Sequence, residues 1–372
     1  MVIEHSKISN FIHYLCGGMA EKGHSILIES PAGWKDYEII DSGDGYKLER
    51  FGDFIMSRPE PKALWSKSLS DSEWRRMAHT VFHPGAGFGK AGKEDVGTWE
   101  MLKKMPDRWF IEYKGKDRMA SEWSSRRHGI PAPGTAGSSE SGGLYLKMRL
   151  GLTSFKHVGV FPEQASNWEW IYSHTQMLCN TFQVNSLHRE ENNAGGNKVK
   201  VLNLFAYTGG ATLAAKCAGA EVTHVDSVKQ VVNWARENMA LSSLDNIRWI
   251  VDDALKFVKR EIRRGNVYNG LILDPPAYGH GPDGERWKLD ELLFEMLEEC
   301  SKIVSKEHSF VVLNLYSNGY SALLADTLLK KAFGDLEKEA RSSAQYESGE
   351  LALEDRFGKV MPLSVFTRRF IP

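Results

Sequence analysis

The 372-residue sequence predicts an α/β protein: a doubly wound, mostly parallel sheet preceded by a smaller β-rich region. Three observations carry this. From Val199 onward, short apolar runs alternate with helical stretches, the pattern that buries a parallel sheet between two layers of helices. The first of these runs, in "KVLNLFAYTGG", ends in a glycine pair that opens an alanine-rich segment. Up to about residue 125, runs such as "YEIIDSG" and "YKLERFGDFIMS" are separated by Gly, Asp and Pro, which suits strands joined by tight turns.

The elements follow in order. Six of the eleven tryptophans (Trp34, Trp65, Trp74, Trp99, Trp109 and Trp123) fall in the β-rich region and supply a core where long elements are lacking. Aromatics beside basic residues there, as in "WSK" and "WRR", could also stack on bases. Residues 128–143, "HGIPAPGTAGSSESGG", read as a flexible loop or insertion. A strand-like run, a Pro turn and a helix from about Asn167 to Phe182 come next, then a second polar break at 189–198. Strands are expected at "KVLNLFA", "EVTHVD", "IRWIV", "NGLILD" and "SFVVLNLY". Helices are expected at "GGATLAAKCAG", "KQVVNWARENMALS", "DALKFVKREIRRG" and "RWKLDELLFEMLEECSKIV". A further helical stretch, "SALLADTLLKKAFG", precedes "PLSVFTRRFI", a closing strand. The division is residues 1–150, a β-rich domain and possible substrate platform, and residues 151–372, the domain that carries the chemistry.

Composition narrows the classes. The formal net charge is −1, with 22 basic against 20 acidic residues in the first 150 positions, so no basic half advertises nucleic-acid binding by counterion release. Cys16, Cys179, Cys217 and Cys300 are scattered, with no CxxC pair and no metal-ligand spacing; reduced thiols and no metal are expected. No apolar run reaches transmembrane length and no signal peptide is read at the start, so no membrane association is expected. The location expected is the cytoplasm, an organelle address staying open.

Doubly wound sheets bind ligands beyond the carboxyl ends of their strands, at the switch in strand order. Gly209 and Gly210 let the chain pass close to a ligand and begin a helix whose first amides are free. Asp226 ends the second strand, 17 positions after Gly209, where an acid can accept from both hydroxyls of a ribose. G-x-G-x-x-G is absent, and Tyr207 and Thr208 fill the loop where a pyrophosphate needs bare backbone. This disfavours a nicotinamide oxidoreductase. Asp252 and Asp253 end the third strand, placed to accept from an adenine amine or to cap the next helix. "LILDPPAYG" puts Asp274, Pro275, Pro276 and Tyr278 at the end of the fourth strand, a rigid turn suited to holding an amine, with a ring to stack on a base.

In this order, "NLFAYTGGATLAAKCAGAEVTHVDSV", "DDALKF" and "DPPAYG" resemble the class I S-adenosylmethionine-dependent methyltransferases. Within them they are similar to the group of large-subunit ribosomal RNA methyltransferases related to the cytosine-C5 type. The resemblance is firm over about residues 150–372 and looser over 35–75. It implies a Rossmann-like, seven-stranded sheet and S-adenosylmethionine as cofactor. It implies cofactor binding by Gln164, Asn203, Phe205, Tyr207, Thr208, Gly209, Gly210, Asp226, Ser227, Asp252, Asp253 and Asp274, with "FPEQ" (161–164) over the cofactor. Asp274, Pro275, Pro276 and Tyr278 would carry the catalytic roles.

One departure bears on chemistry. Methylation at cytosine C5 needs a thiolate to attack C6. Neither "DPPAYG" nor "NLYSNGY", the ends of the fourth and fifth strands, holds a cysteine; Cys217 and Cys300 read as apolar-face helix residues. The expected reaction is direct displacement onto a nitrogen or oxygen, on ribosomal RNA, with Asn314 and Tyr316 lining the acceptor side. His224 reads as a core residue and His280 as part of a mobile Gly-rich loop. Two alternatives are a protein or small-molecule acceptor, and a non-catalytic RNA-binding or assembly protein that keeps the cofactor fold.

Overall fold

The computed structural model describes residues 25–87, 96–115, 143–187, 198–316, 319–339 and 343–372. The N-terminal region holds β1 (Leu27–Glu29), β2 (Tyr37–Gly43), β3 (Tyr46–Phe51), β4 (Phe54–Pro59), α1 (Asp71–Met77), β5 (Thr80–Pro84), β6 (Gly97–Met101), β7 (Arg108–Lys114) and β8 (Tyr145–Gly151). A 3-10 turn, Pro162–Gln164, leads into α2 (Ala165–Leu187). Then follow β9 (Lys200–Leu204), α3 (Gly210–Cys217), β10 (Glu221–Asp226), α4 (Lys229–Leu241), β11 (Ile247–Val251), α5 (Ala254–Arg263) and β12 (Gly270–Leu273). The chain continues through β13 (Tyr278–His280), β14 (Arg286–Lys288), α6 (Leu289–Ser301), β15 (Ser309–Leu315), α7 (Ala322–Glu339), β16 (Gln345–Glu354) and β17 (Val360–Ile371).

The main sheet runs β1-β16-β17-β15-β12-β9-β10-β11. It has eight strands, one more than the expected seven. The extra strand is β1, which pairs parallel with β16 (Leu27 with Gly349) and covers an edge that would otherwise expose unpaired backbone groups. Gly349 permits the approach: a Cβ there would stand 2.2 Å from the Leu27 carbonyl oxygen. The central strands β9, β12 and β15 are buried almost throughout, as parallel strands between helices must be. Alternation sorts their side chains. Val201 joins the core shared with α2, α3 and the β7–β8 pair, whereas Leu202 and Leu204 join the core beneath α5, α6 and α7.

The N-terminal region forms a five-stranded sheet, β2-β3-β4-β5-β6, and a β7–β8 pair. Helix α1 bridges β4 to β5, started by a reciprocal capping box between Ser70 and Glu73. The described tryptophans of this region favour the core role. Trp34 packs edge-on to Tyr113, Tyr37 and Trp168; Trp99 packs on Phe82 and Trp109 on Phe54. Trp74 donates to Asp41 and Trp65 to Ser42. Trp123 and residues 128–142 of the expected loop lie outside the described residues.

Polar contacts cross the expected boundary at residue 150. Lys359 reaches Asp41 at 2.7 Å, Ser42 donates to Asp355 at 2.7 Å, and Lys62 donates to the Leu363 carbonyl at 2.7 Å. Among the described residues no helix is long and apolar enough to cross a membrane.

Candidate active site

Strand register puts the candidate residues on one level. Leu204 of β9 pairs with Val225 of β10 and Leu273 of β12, and Leu273 pairs with Leu313 of β15. The next residues, Asp226, Phe205, Asp274 and Asn314, therefore form a row across four adjacent strand ends. The row straddles β9 and β12, where the winding direction reverses.

The loop after β9 is strained. Phe205 and Tyr207 adopt left-handed backbone with φ of 56° and 47°, a conformation bulky residues hold only where their surroundings enforce it. The Tyr207 amide donates to Asp226 Oδ2 at 2.9 Å, and the Phe205 ring packs on Trp287 at 4.7 Å. Gly209 follows with φ 93°, and a Cβ on it would press within 3.2 Å of Ala235.

The acids divide by partner. Asp226 also accepts from the amides of Val228 and Ser227; burial nonetheless raises its pKa from the ordinary aspartate value. With three amides on its two oxygens, one lone pair stays open for a hydroxyl. Asp252 is buried and held by Arg260 at 2.5 Å and by the Asp253 amide. The Asp253 carboxyl caps α5, accepting from the Lys256 amide at 2.8 Å. Burial pushes Asp274 up to about 6, while Asn314, donating to its Oδ1 at 2.8 Å, pulls the other way. Asn314 is fixed in turn. Its oxygen accepts from Ser364 at 3.1 Å and lies 3.4 Å from the Asn167 amide, which donates to Gln164 at 2.8 Å.

Several expected cofactor contacts have other partners. Asn203 points between sheet and helix and donates to Thr212 at 2.8 Å. The Thr208 hydroxyl donates to the Gly159 carbonyl at 2.7 Å, tying the loop to the segment before α2. Gly210 serves packing, since a Cβ there would fall 2.4 Å from Cζ2 of Trp168. The Pro276 carbonyl accepts from Trp287 at 2.7 Å, which leaves Pro275 as the candidate acceptor of that turn.

The expected mobile loop around His280 is a hairpin. β13 pairs with β14, Tyr278 opposite Lys288, and Lys256 bridges Asp283 and Glu285 at its tip. Arg286 lies 5.5 Å over the Tyr278 ring, so "RWK", expected in a helix, is a strand that covers the ring meant for a base. Cys300 is buried in α6 against Met296, and burial raises its thiol as it does those of Cys179 and Cys217. None of these three lies at a strand end of the row.

Sequence reasoning missed Trp287, Asn167 and Ser364. Trp287 sat inside an apparent helix start, and the other two have no motif, only a place in the network around Asn314. Among the described residues no cluster of three His, Cys, Asp or Glu side chains suits a metal.

The donor set fits an adenosyl group that also carries an amino acid. A half-buried carboxylate stands at the end of the strand beside β9, a helix opens on a left-handed glycine, and a second acid sits across the switch point. These features define a nucleoside-binding doubly wound fold. A solved S-adenosylmethionine-dependent methyltransferase from Agrobacterium tumefaciens is 32% identical, with a TM-score of 0.71 over 95% of this chain and 98% of that one. The chain belongs to the S-adenosylmethionine-dependent methyltransferases, and S-adenosylmethionine is the cofactor. Residues 181–312 match the family described as conserved hypothetical protein 95. A ribosomal RNA large subunit methyltransferase K/L from Shewanella frigidimarina is 34% identical over 134 residues, 34% of this chain but 18% of that relative. A ribosomal RNA large subunit methyltransferase I from Klebsiella pneumoniae is 33% identical over 82 residues, 21% of this chain and 20% of that relative. The matched stretches thus span about a fifth of these relatives' length. Nothing in these matches supports the cytosine-C5 attribution, which is dropped from the resemblance.

Proposed function

We propose that this protein transfers a methyl group from S-adenosylmethionine to a nitrogen or oxygen of RNA, ribosomal RNA being the substrate class favoured by its relatives' names. The observation that carries the reading is the row Asp226–Phe205–Asp274–Asn314 across the switch point. When bound, the cofactor supplies a methyl group activated by a sulfonium. The chain's own part is positioning and exclusion of water.

In this reading Asp226 takes the ribose hydroxyls, and Asp252 and Asp253 border the adenine. Phe205, Tyr207, Gly209, Ser227 and Gln164 line the cofactor, while Asp274 and the Pro275 carbonyl hold the amino-acid end and the acceptor. The β-rich region serves as the RNA platform. Absence of a strand-end cysteine among the described residues supports a heteroatom acceptor over C5.

Two experiments test this. S-adenosylhomocysteine should raise the melting temperature while NAD leaves it unchanged. Nucleosides from ribosomal RNA of cells with and without the gene, compared by mass spectrometry, should differ by one methylated species. Identical profiles would redirect the search to protein or small-molecule acceptors.

A further inference from the structure

Glu163, in the turn before α2, is 2% exposed, and its Oε1 has no hydrogen-bond partner. It lines a narrow cleft between strands β3 and β4, the segment 156–163 and Tyr316, together with Lys47, Arg58, Glu60 and Phe161. The other charges in the cleft are paired. Lys47 lies 3.4 Å from Glu49 and 3.5 Å from Glu60, and Arg58 lies 2.7 Å from Glu49, which also accepts from Tyr37. Lys62, from the loop after β4, donates to Leu363, and Lys156 and His157 face the cleft from the segment after β8. Among the acids of the cleft, Glu163 is the one with a carboxyl oxygen that no donor meets. An unpartnered carboxyl oxygen in such surroundings is costly unless a ligand meets it.

The turn also touches the acceptor side. Phe161 packs against Tyr207 of the cofactor loop and against Tyr316, two residues beyond Asn314, both at 5.5 Å. Gln164, next to Glu163, joins the hydrogen-bond network of Asn167, Ser364 and Asn314.

We propose that Glu163 accepts the proton released when an N–H of a nucleobase, bordered by Phe161 and Tyr316, is methylated. This rests on the RNA methyl-transfer reading. The nitrogen lone pair forms the N–C bond as the S–C bond breaks with its electron pair left on sulfur. The N–H proton passes to Glu163 Oε1, which starts as carboxylate, ends as acid and returns the proton to solvent. Burial, opposed by Lys47 and reinforced by Glu60 and Glu49, pushes Glu163 up to about 7, suited to exchanging a proton near neutrality.

The test uses the full chain, tritiated S-adenosylmethionine and ribosomal RNA from cells lacking the gene, assayed from pH 5.5 to 8.5. Glu163→Gln should lower kcat about a hundredfold. It should abolish the limb with a midpoint near 7 and leave the melting temperature and S-adenosylhomocysteine affinity unchanged; Glu163→Asp should keep the limb. Full activity with an unaltered profile in Glu163→Gln overturns the assignment. So does loss of S-adenosylhomocysteine binding along with rate, which would make Glu163 a structural support. No transfer by the wild type removes the RNA reading itself and this inference with it.

Discussion

Asn314 donates its side-chain amide to Asp274 at 2.8 Å across two neighbouring strand ends, and Ser364 and Asn167 hold its oxygen on the other side. The amide therefore has one orientation, and it favours the ionised form of an acid that burial alone would protonate. With Asp274 pushed up to about 6, affinity for S-adenosylhomocysteine should fall as pH drops below that value. Asn314→Ala removes the opposing hydrogen bond, so the midpoint should move to higher pH. Asp274→Asn should weaken binding at pH 8 and flatten the profile. Calorimetric titration at a series of pH values reads all three, and an unmoved midpoint in Asn314→Ala would separate Asn314 from the site.

Gly210 sits under the Trp168 indole, where a methyl group would lie 2.4 Å from a ring carbon. Alanine ordinarily favours a helix by about 1 kcal/mol over glycine. Here the overlap should outweigh that, and Gly210→Ala should destabilise the fold by about 1–3 kcal/mol, the usual cost of overpacking. Trp168→Leu in the same chain should recover part of the loss. Urea unfolding of the two single variants and the double variant closes the cycle.

Strands β9 to β12, β15 and β17 were readable because each is a short, largely apolar run. The strand-end acids were legible for the same reason: a strand that stops names its own end. What stayed hidden depended on contacts far apart in the chain. β1 falls in "SILIES", a run that reads as a strand, but its place beside β16 was hidden. β16 reads "QYESGELALE", polar enough to pass as loop until β17 covers it. Asn203 illustrates a different miss, since period-two alternation from Val201 already turns it toward α3 and away from the ligand side.

β1 is held by one buried ion pair. Arg368, 1% exposed, donates to both oxygens of Glu29 at 2.8 Å and to Asn167, with Phe366 4.0 Å beneath its guanidinium. Removing Glu29 leaves a buried cation with an amide oxygen and only a distant contact to Glu347 at 3.7 Å. Glu29→Ala should therefore cost about 3 kcal/mol, far more than a surface pair. Hydrogen exchange should show β16 amides near Gly349 losing protection first. A loss below about 0.5 kcal/mol would mean that β1 docks by backbone pairing alone.

His224 offers a pH test of the core under the cofactor loop. Thr212 Oγ1 accepts from Asn203 and shares a 2.9 Å hydrogen bond with His224 Nδ1, while the buried Nε2 has no hydrogen-bond partner. Burial, with Arg236 acting in the same direction, lowers the His224 pKa to about 3. The unfolded chain takes up this proton near pH 6.5 while the folded chain refuses it. Stability is therefore fully present above about 6.5 and is lost as pH falls toward 3. Between pH 6.5 and 5 this one ring should remove about 2 kcal/mol. His174, lowered to about 4 by burial, acts in the same sense over a narrower window. His224→Gln should begin less stable at pH 7, having lost packing against Trp249, yet decline less steeply on acidification. Urea midpoints at pH 7, 6 and 5 for both proteins decide it. Parallel slopes would mean that the ring is already protonated inside the fold.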